Sequence, residues 1–232
     1  MKRALLIVLT LVATLAFLGL GAWQVERRAW KLDLIARVER GLKASPAPVP
    51  PSAGWPQLDV KAQEYRRVFA IGTFLHDRET LVQALTERGA GFWVLTPLRT
   101  EDGLLLVNRG FVPADLRSPE RRAEGQVKGL VRVTGLMRAS EPKGGFLRSN
   151  DPAGKRWYSR DVAAIAAAQR LGRTAPFFID ADATPNPGGY PIGGLTMVKF
   201  RNSHLVYAIT WFALAALSAA GLVLLLRRPR RT

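Results

Sequence analysis

Two uncharged apolar stretches lie at opposite ends of the chain, at residues 4–25 and 205–226. Each is 22 residues long. As a helix rising about 1.5 Å per residue, either would reach roughly 33 Å, enough to cross a hydrocarbon core of about 30 Å. After the first stretch, Leu32, Leu34, Ile35, Val38 and Leu42 recur among charges, which predicts that the helix runs on to about Lys43. Five prolines then fall within 44–56, forbidding a helix and predicting a semi-rigid extended connection. Beyond it the pattern turns to short β-rich runs at 67–74, 80–84, 91–96, 104–113, 125–137, 175–180 and 195–200, punctuated by Gly and Pro. Pro97 is the expected stop of the third run. Helical periodicity returns only at 160–171, with Asp161 as N-cap and Gly172 at the C-terminal stop. Trp157 and Tyr158 read as a short strand whose rings fill the core.

The pattern predicts an α+β protein in which two transmembrane helices flank a mainly antiparallel β domain outside the cytoplasm. The expected boundaries are 4–25 for the first span, 26–56 for a juxtamembrane helix and Pro-rich linker, and 57–204 for the β-rich domain. The second span follows at 205–226 and a basic tail at 227–232. The first apolar run is longer than a signal-peptide core of about 7 to 15 residues, and Trp23 stands beside the only small residues at its end, so retention as an anchor is expected. Arg227, Arg228, Arg230 and Arg231 directly after the second span place the C-terminus in the cytoplasm, and Lys2 and Arg3 agree for the N-terminus. The domain between would then be periplasmic, with the protein in a bacterial inner membrane.

Charge and cysteine content narrow the chemistry. The net charge is +16, from 34 Lys and Arg against 18 Asp and Glu, but the arginines are scattered singly. They form no dense basic run interleaved with aromatics, so a nucleic-acid partner is not expected. That scatter is what GC-rich coding gives. With no cysteine there is neither a disulfide framework nor a thiolate ligand. The three methionines and two histidines make a copper or zinc site a poor fit. Neither a Gly-x-Ser-x-Gly elbow nor a Walker loop is present, and the Gly/Pro run at 188–194 reads as a turn into the last strand. No catalytic constellation emerges, and the protein is not expected to be an enzyme. His76, in a polar turn, reads as a solvated loop histidine.

His204 is the exception because it stands at the threshold of the second span. Helical spacing puts Tyr207, Ala208, Trp211 and Ala215 on its stripe. An aromatic belt at the bilayer interface accounts for Tyr207 and Trp211, but an ionisable group at a membrane boundary is a functional candidate. The first helix offers Gly19, Trp23, Arg27 and Trp30 at matching spacing, with Gly19 and Ala22 small enough for close helix approach. Imidazole for a metal, indole for a ring and arginine for carboxylates together fit haem, with His204 as axial ligand and Tyr207, Trp211, Trp23 and Arg27 around it.

The run Gly21-Ala22-Trp23-Gln24-Val25-Glu26-Arg27-Arg28-Ala29-Trp30-Lys31 resembles the N-terminal signature of the Surfeit locus protein 1 family of cytochrome c oxidase assembly factors. The likeness continues through Gly72-Thr73-Phe74, Val107-Asn108-Arg109-Gly110-Phe111-Val112-Pro113 and Arg156-Trp157-Tyr158-Ser159-Arg160-Asp161. It ends with Pro191-Ile192-Gly193-Gly194 and the run from Arg201 to Phe212. These blocks occur in the family's order over nearly the whole chain. The resemblance implies a two-helix inner-membrane protein that helps to place haem a in the oxidase's catalytic subunit, with that subunit, the haem a synthase and the membrane as partners. It also implies that His204 matches the histidine implicated in haem binding. Ser203 departs from the Asn or Glu often found in relatives. A second reading stays open, in which the protein scaffolds oxidase subunits or the synthase without holding cofactor.

Overall fold

The structure, a computed structural model, describes residues 2–145, 147–196 and 202–227. The chain forms two compact units, Met1–Arg37 with Val198–Thr232, and Val38–Met197.

The helical unit is built on α1 (Lys2–Lys43) and α3 (His204–Arg227), both long and apolar enough to cross a membrane. They pack antiparallel, and their contacts descend in register. Arg3 Nη2 donates to Leu225 O (2.9 Å), and Thr14 Oγ1 donates to Ser218 Oγ (2.9 Å). Phe17 stacks on Trp211 with centroids 5.8 Å apart, and His204 Nδ1 lies 2.7 Å from Gln24 Oε1. From Arg3 to Gln24 this ladder runs about 31 Å at 1.5 Å per residue, the thickness of a bilayer core. Its closest approach is at Gly21, where a Cβ would fall 2.6 Å from the Phe212 ring. Gly19, expected to allow that approach, has open space around it, and Ala22 is exposed. The seam runs through Gly21, at the level of the predicted small pair but on a different face of the helix.

The second unit is a closed barrel. Its strands are β1 (Ala47–Pro48), β2 (Arg67–Phe74), β3 (Thr80–Thr86), β4 (Gly89–Thr100), β5 (Gly103–Pro113), β6 (Val131–Ala139) and β7 (Thr174–Ala181). Hydrogen bonding runs β2-β6-β7-β5-β4, and β4 returns to β2 through Thr73↔Arg99 and Phe74↔Leu98, closing a five-stranded ring. The sheet is mixed, because β5 pairs with β7 in parallel and β1 with β2 likewise. Strands buried on both faces read as continuous apolar runs, and β5 and β7 are such strands. Leu105, Val107, Phe177 and Ile179 join one core cluster with Val68, Ala70, Val133 and Met137. Their neighbours Leu106 and Phe178 join a second with Val82, Trp157, Val162 and Ile165 under α2 (Val162–Ala168).

Several elements differ from expectation. β4 runs straight through Pro97, whose carbonyl accepts from Leu75 N (2.8 Å) and whose missing N–H costs no ladder bond there. The stretch expected as strand at 125–137 begins as the end of a 3₁₀ segment, Pro119–Gly125, and becomes strand only at Val131. α2 keeps Asp161 as N-cap, its carboxylate accepting from Ala164 N (3.1 Å), but ends at Ala168, well before Gly172. In the expected last strand, Leu195 and Thr196 are not strand, and 197–200 lie outside the described residues. Trp157 is buried in the core and its carbonyl accepts from Gln83 N (2.8 Å), whereas Tyr158 is only half-buried, under Arg148.

The Pro-rich segment is docked, not free. Ala47 and Pro48 pair with Val68 and Phe69, and Val49 N donates to Phe69 O (3.0 Å). The 3₁₀ turn Ser52–Gln57 then delivers Trp55 into the core, edge-on to Phe177, with its indole N–H held by Pro50 O (2.9 Å). An extended proline segment has few conformations to lose, which suits it to this edge position.

The scattered arginines are largely structural. Asp180, buried on β7, accepts from Asn108 Nδ2 (2.7 Å), Arg138 Nη1 (2.7 Å), Arg160 Nη1 (2.9 Å) and Thr196 Oγ1 (2.9 Å). Glu64 and Glu141 complete the neutralisation of the two arginines. Burial, the largest single influence, lowers both guanidinium pKa values, but Asp180 acting together with Glu64 on Arg138 and with Glu141 on Arg160 more than offsets it, and both are raised. A second buried pair joins Arg122 to Glu79 in a bidentate contact. The fold buries Arg122 and also Arg109, and holds Arg138 and Arg160 half-buried beside Asp180.

Candidate functional site

The seam of the helical unit gathers polar and aromatic groups at one level. Gln24 is buried on α1, three residues after Gly21, and its carboxamide oxygen faces the His204 ring. An amide oxygen accepts, so in this contact Nδ1 is the donor, and in the tautomer it selects Nε2 is the acceptor nitrogen. Among the described residues Nε2 has no protein partner. One helical turn inward, Ala208 is buried against α1, and Ala215 repeats this two turns on. Trp211 lies between them, stacked on Phe17. Small residues at 208 and 215 let the helices close, and the larger His204, Trp211 and Ser218 interleave with Gln24, Phe17 and Thr14.

The residues proposed from sequence therefore divide. His204 and Trp211 are brought together on the seam. Tyr207, Trp23 and Arg27 are exposed on outer faces, with the Arg27 guanidinium 4.0 Å over the ring of Trp30. Helical stripes drawn at 100° per residue put both sets on plausible faces, and only the actual crossing decides which face meets the other helix. Gln24 was not singled out from sequence. Its signal was available: an amide inside an apolar span needs a partner, and a histidine at the facing end of the other span supplies one.

His76 is not a solvated loop histidine. It is half-buried, 5.5 Å from the Phe74 ring centroid, with Nε2 2.8 Å from Val127 O and Nδ1 buried without a partner. Burial, the largest influence, lowers its pKa, helped by the charges of Arg109 and Arg122 and opposed by Val127 O and Glu79.

Two apolar helices long enough to cross a bilayer, together with a separate barrel unit, are the features of a membrane-anchored protein. The SURF1 family pattern matches residues 11–216. The chain is 42% identical over 241 residues to a SURF1-like protein of Monosiga brevicollis, covering 92% of this chain and 89% of that protein. It is 41% identical to Surfeit locus protein 1 of Rattus norvegicus, covering 85% and 68% of the two chains. With the human Surfeit locus protein 1 it shares 39% identity over 90% of this chain and 73% of the relative. The chain belongs to the SURF1 family.

Proposed function

We propose that this protein is an assembly factor for haem-copper cytochrome c oxidase, which receives haem a as cargo and passes it to the catalytic subunit. His204 Nε2 is the axial iron ligand in this reading. The observation that carries it is the Gln24–His204 hydrogen bond. Metal-binding histidines characteristically donate their other ring N–H to a fixed acceptor, which sets the tautomer and the ring orientation. Bound haem supplies an iron that one imidazole can hold, and a single axial ligand suits temporary custody. Trp211 gives an aromatic wall beside the histidine, and Tyr207, Trp23 and Arg27, exposed on the helices, remain free for the cargo's ring and carboxylates. The haem a synthase is the donor, the oxidase catalytic subunit the recipient. The basic residues after α3 favour an inner-membrane hairpin with both termini cytoplasmic and the barrel periplasmic.

The test is co-purification from cells that make haem a, read by visible spectroscopy. His204→Ala is expected to lose most of the Soret absorbance while the protein still accumulates, because alanine is tolerated at a helix start. Wild-type haem content in that variant would remove the ligand assignment.

A scaffold without cofactor is the second reading. It is favoured by Leu85, Leu130 and Leu147, which stand 86%, 76% and 88% exposed on the barrel unit as apolar footholds for a partner. If it is right, polar substitutions there lower oxidase yield and the haem content of His204→Ala equals that of the wild type.

A further inference from the structure

Arg109 is the buried arginine that the barrel leaves without a counter-charge. It follows Asn108 on β5, whose side chain is tied to Asp180 and back to Gly110 N (3.2 Å). Gly110 has φ +126°, and a Cβ there would fall 2.0 Å from Ile192 O, so the chain at this point is pinned against the 187–194 segment. This fixes Arg109 at 2% exposure. Its Nη2 donates to Gly125 O and to Asn186 Oδ1 (3.0 Å), both neutral, and its guanidinium lies 4.8 Å over the Phe74 ring. Nη1 is buried with no partner. Glu79, the acid whose field reaches it, is already engaged through both oxygens by Arg122. Burial lowers the Arg109 pKa to about 10, with Arg122 lowering it further and Glu79 opposing, so the group is still cationic at neutral pH. A buried cation without a counter-ion is costly unless something anionic reaches it.

Something can reach it. Arg109 lines a cavity of about 170 Å³ at the end of the barrel. Buried Val107 and Val133 and half-buried Phe74 and Val131 form apolar walls, while Arg132 and Thr184 stand exposed at the mouth. The cavity is small and open on one side, with room for a compact ligand. Water would fill the volume but leave the charge unanswered. Asp182 also lines the cavity and opposes a dianion such as phosphate.

We propose that this cavity is a binding site for a short-chain monocarboxylate. Its carboxylate accepts from the Arg109 guanidinium, and its hydrocarbon part lies against Phe74, Val107, Val131 and Val133. This site is independent of the haem reading, since none of its residues lies on the helices.

The probe is butyrate, titrated calorimetrically into the full-length protein in detergent, with inorganic phosphate as comparison ligand. Saturable one-site binding of butyrate is expected, with phosphate disfavoured because its second charge meets Asp182. Arg109→Gln should weaken butyrate at least tenfold. Val127→Trp, in a partly exposed loop at the cavity wall, should abolish binding with the fold intact, and it carries the test if Arg109→Gln does not fold. No saturable binding of butyrate by the wild-type protein overturns the proposal. So does binding that survives Val127→Trp, or phosphate binding in place of butyrate.

Discussion

In the barrel, Asp180 meets four side-chain donors and both of its oxygens are in use. In the helical unit, His204 meets one partner and keeps one nitrogen free. Asp180 is buried and His204 half-buried, and taking a polar group out of water costs free energy in either place. A group whose valences are all spent can only hold the fold together. A group held by one bond and left open at the other is oriented for something that is not part of the chain. The number of unspent valences therefore separates the two regions more sharply than burial does. Arg109, with three of its contacts neutral or aromatic and Nη1 idle, belongs by this measure with His204 although it sits in the barrel.

The comparison is easiest to break at Asp180. Asp180→Ala removes the buried carboxylate that Arg138 and Arg160 share and leaves each only Glu64 or Glu141, and removing one partner of a buried ion pair costs about 3 to 5 kcal/mol. Chemical denaturation should show that loss, and cellular abundance should fall. A change below about 1 kcal/mol would mean that the saturated network is not structural.

His76 is intermediate, with one nitrogen bonded and the other buried and idle. Its pKa is lowered in the folded state, chiefly by burial. The unfolded chain therefore binds the proton more readily, and the stability contributed by neutral His76 is complete above its unfolded value of about 6.5. It is lost as pH falls through that value toward the folded one. The thermal midpoint should drop between pH 7.5 and 5.5, and His76→Gln should flatten the drop. An unchanged slope in that variant would place the acid sensitivity elsewhere.

The smallest effect is expected in the hairpin. Thr14→Val removes the hydrogen bond to Ser218 but keeps the shape. Hydrogen bonds between membrane helices average about 0.6 kcal/mol, so unfolding in mixed micelles should shift by about that amount. A loss of several kcal/mol would erase the contrast, because the hairpin would then depend on its polar contacts as the barrel does.

The sequence was most legible where burial is two-sided. β5 and β7 fall within a residue of expectation because runs such as Leu104-Leu105-Leu106-Val107 have no polar face to confuse the period, and β2 does so through its regular one-sided alternation. β4 was cut short because a proline stop is a rule about missing N–H groups, and at Pro97 the ladder needs only the carbonyl. The Pro-rich segment was read as a spacer since composition gives its stiffness but not what it leans on; only the placement of Trp55 beside Phe177 makes it part of the core. At the candidate site the histidine was legible from its position at a span boundary. Gln24 was not, because pairing across 180 residues is a fact about helix crossing, which no local pattern carries. The buried arginines were illegible for the same reason: each is an ordinary polar letter until three strands converge on Asp180.

The order of strands around the ring has a consequence for how the protein is made. β7 is the last strand among the described residues to leave the ribosome, and it slots between β5 and β6, which are already complete. Until Thr174–Ala181 is synthesised, the nascent domain has two facing strand edges with unpaired amides and an open core. A reading frame that stops before residue 181 cannot yield a smaller working barrel, because what is missing is the keystone and not an end. Premature termination anywhere upstream should therefore leave a product fit only for proteolysis, with no graded loss along the gene.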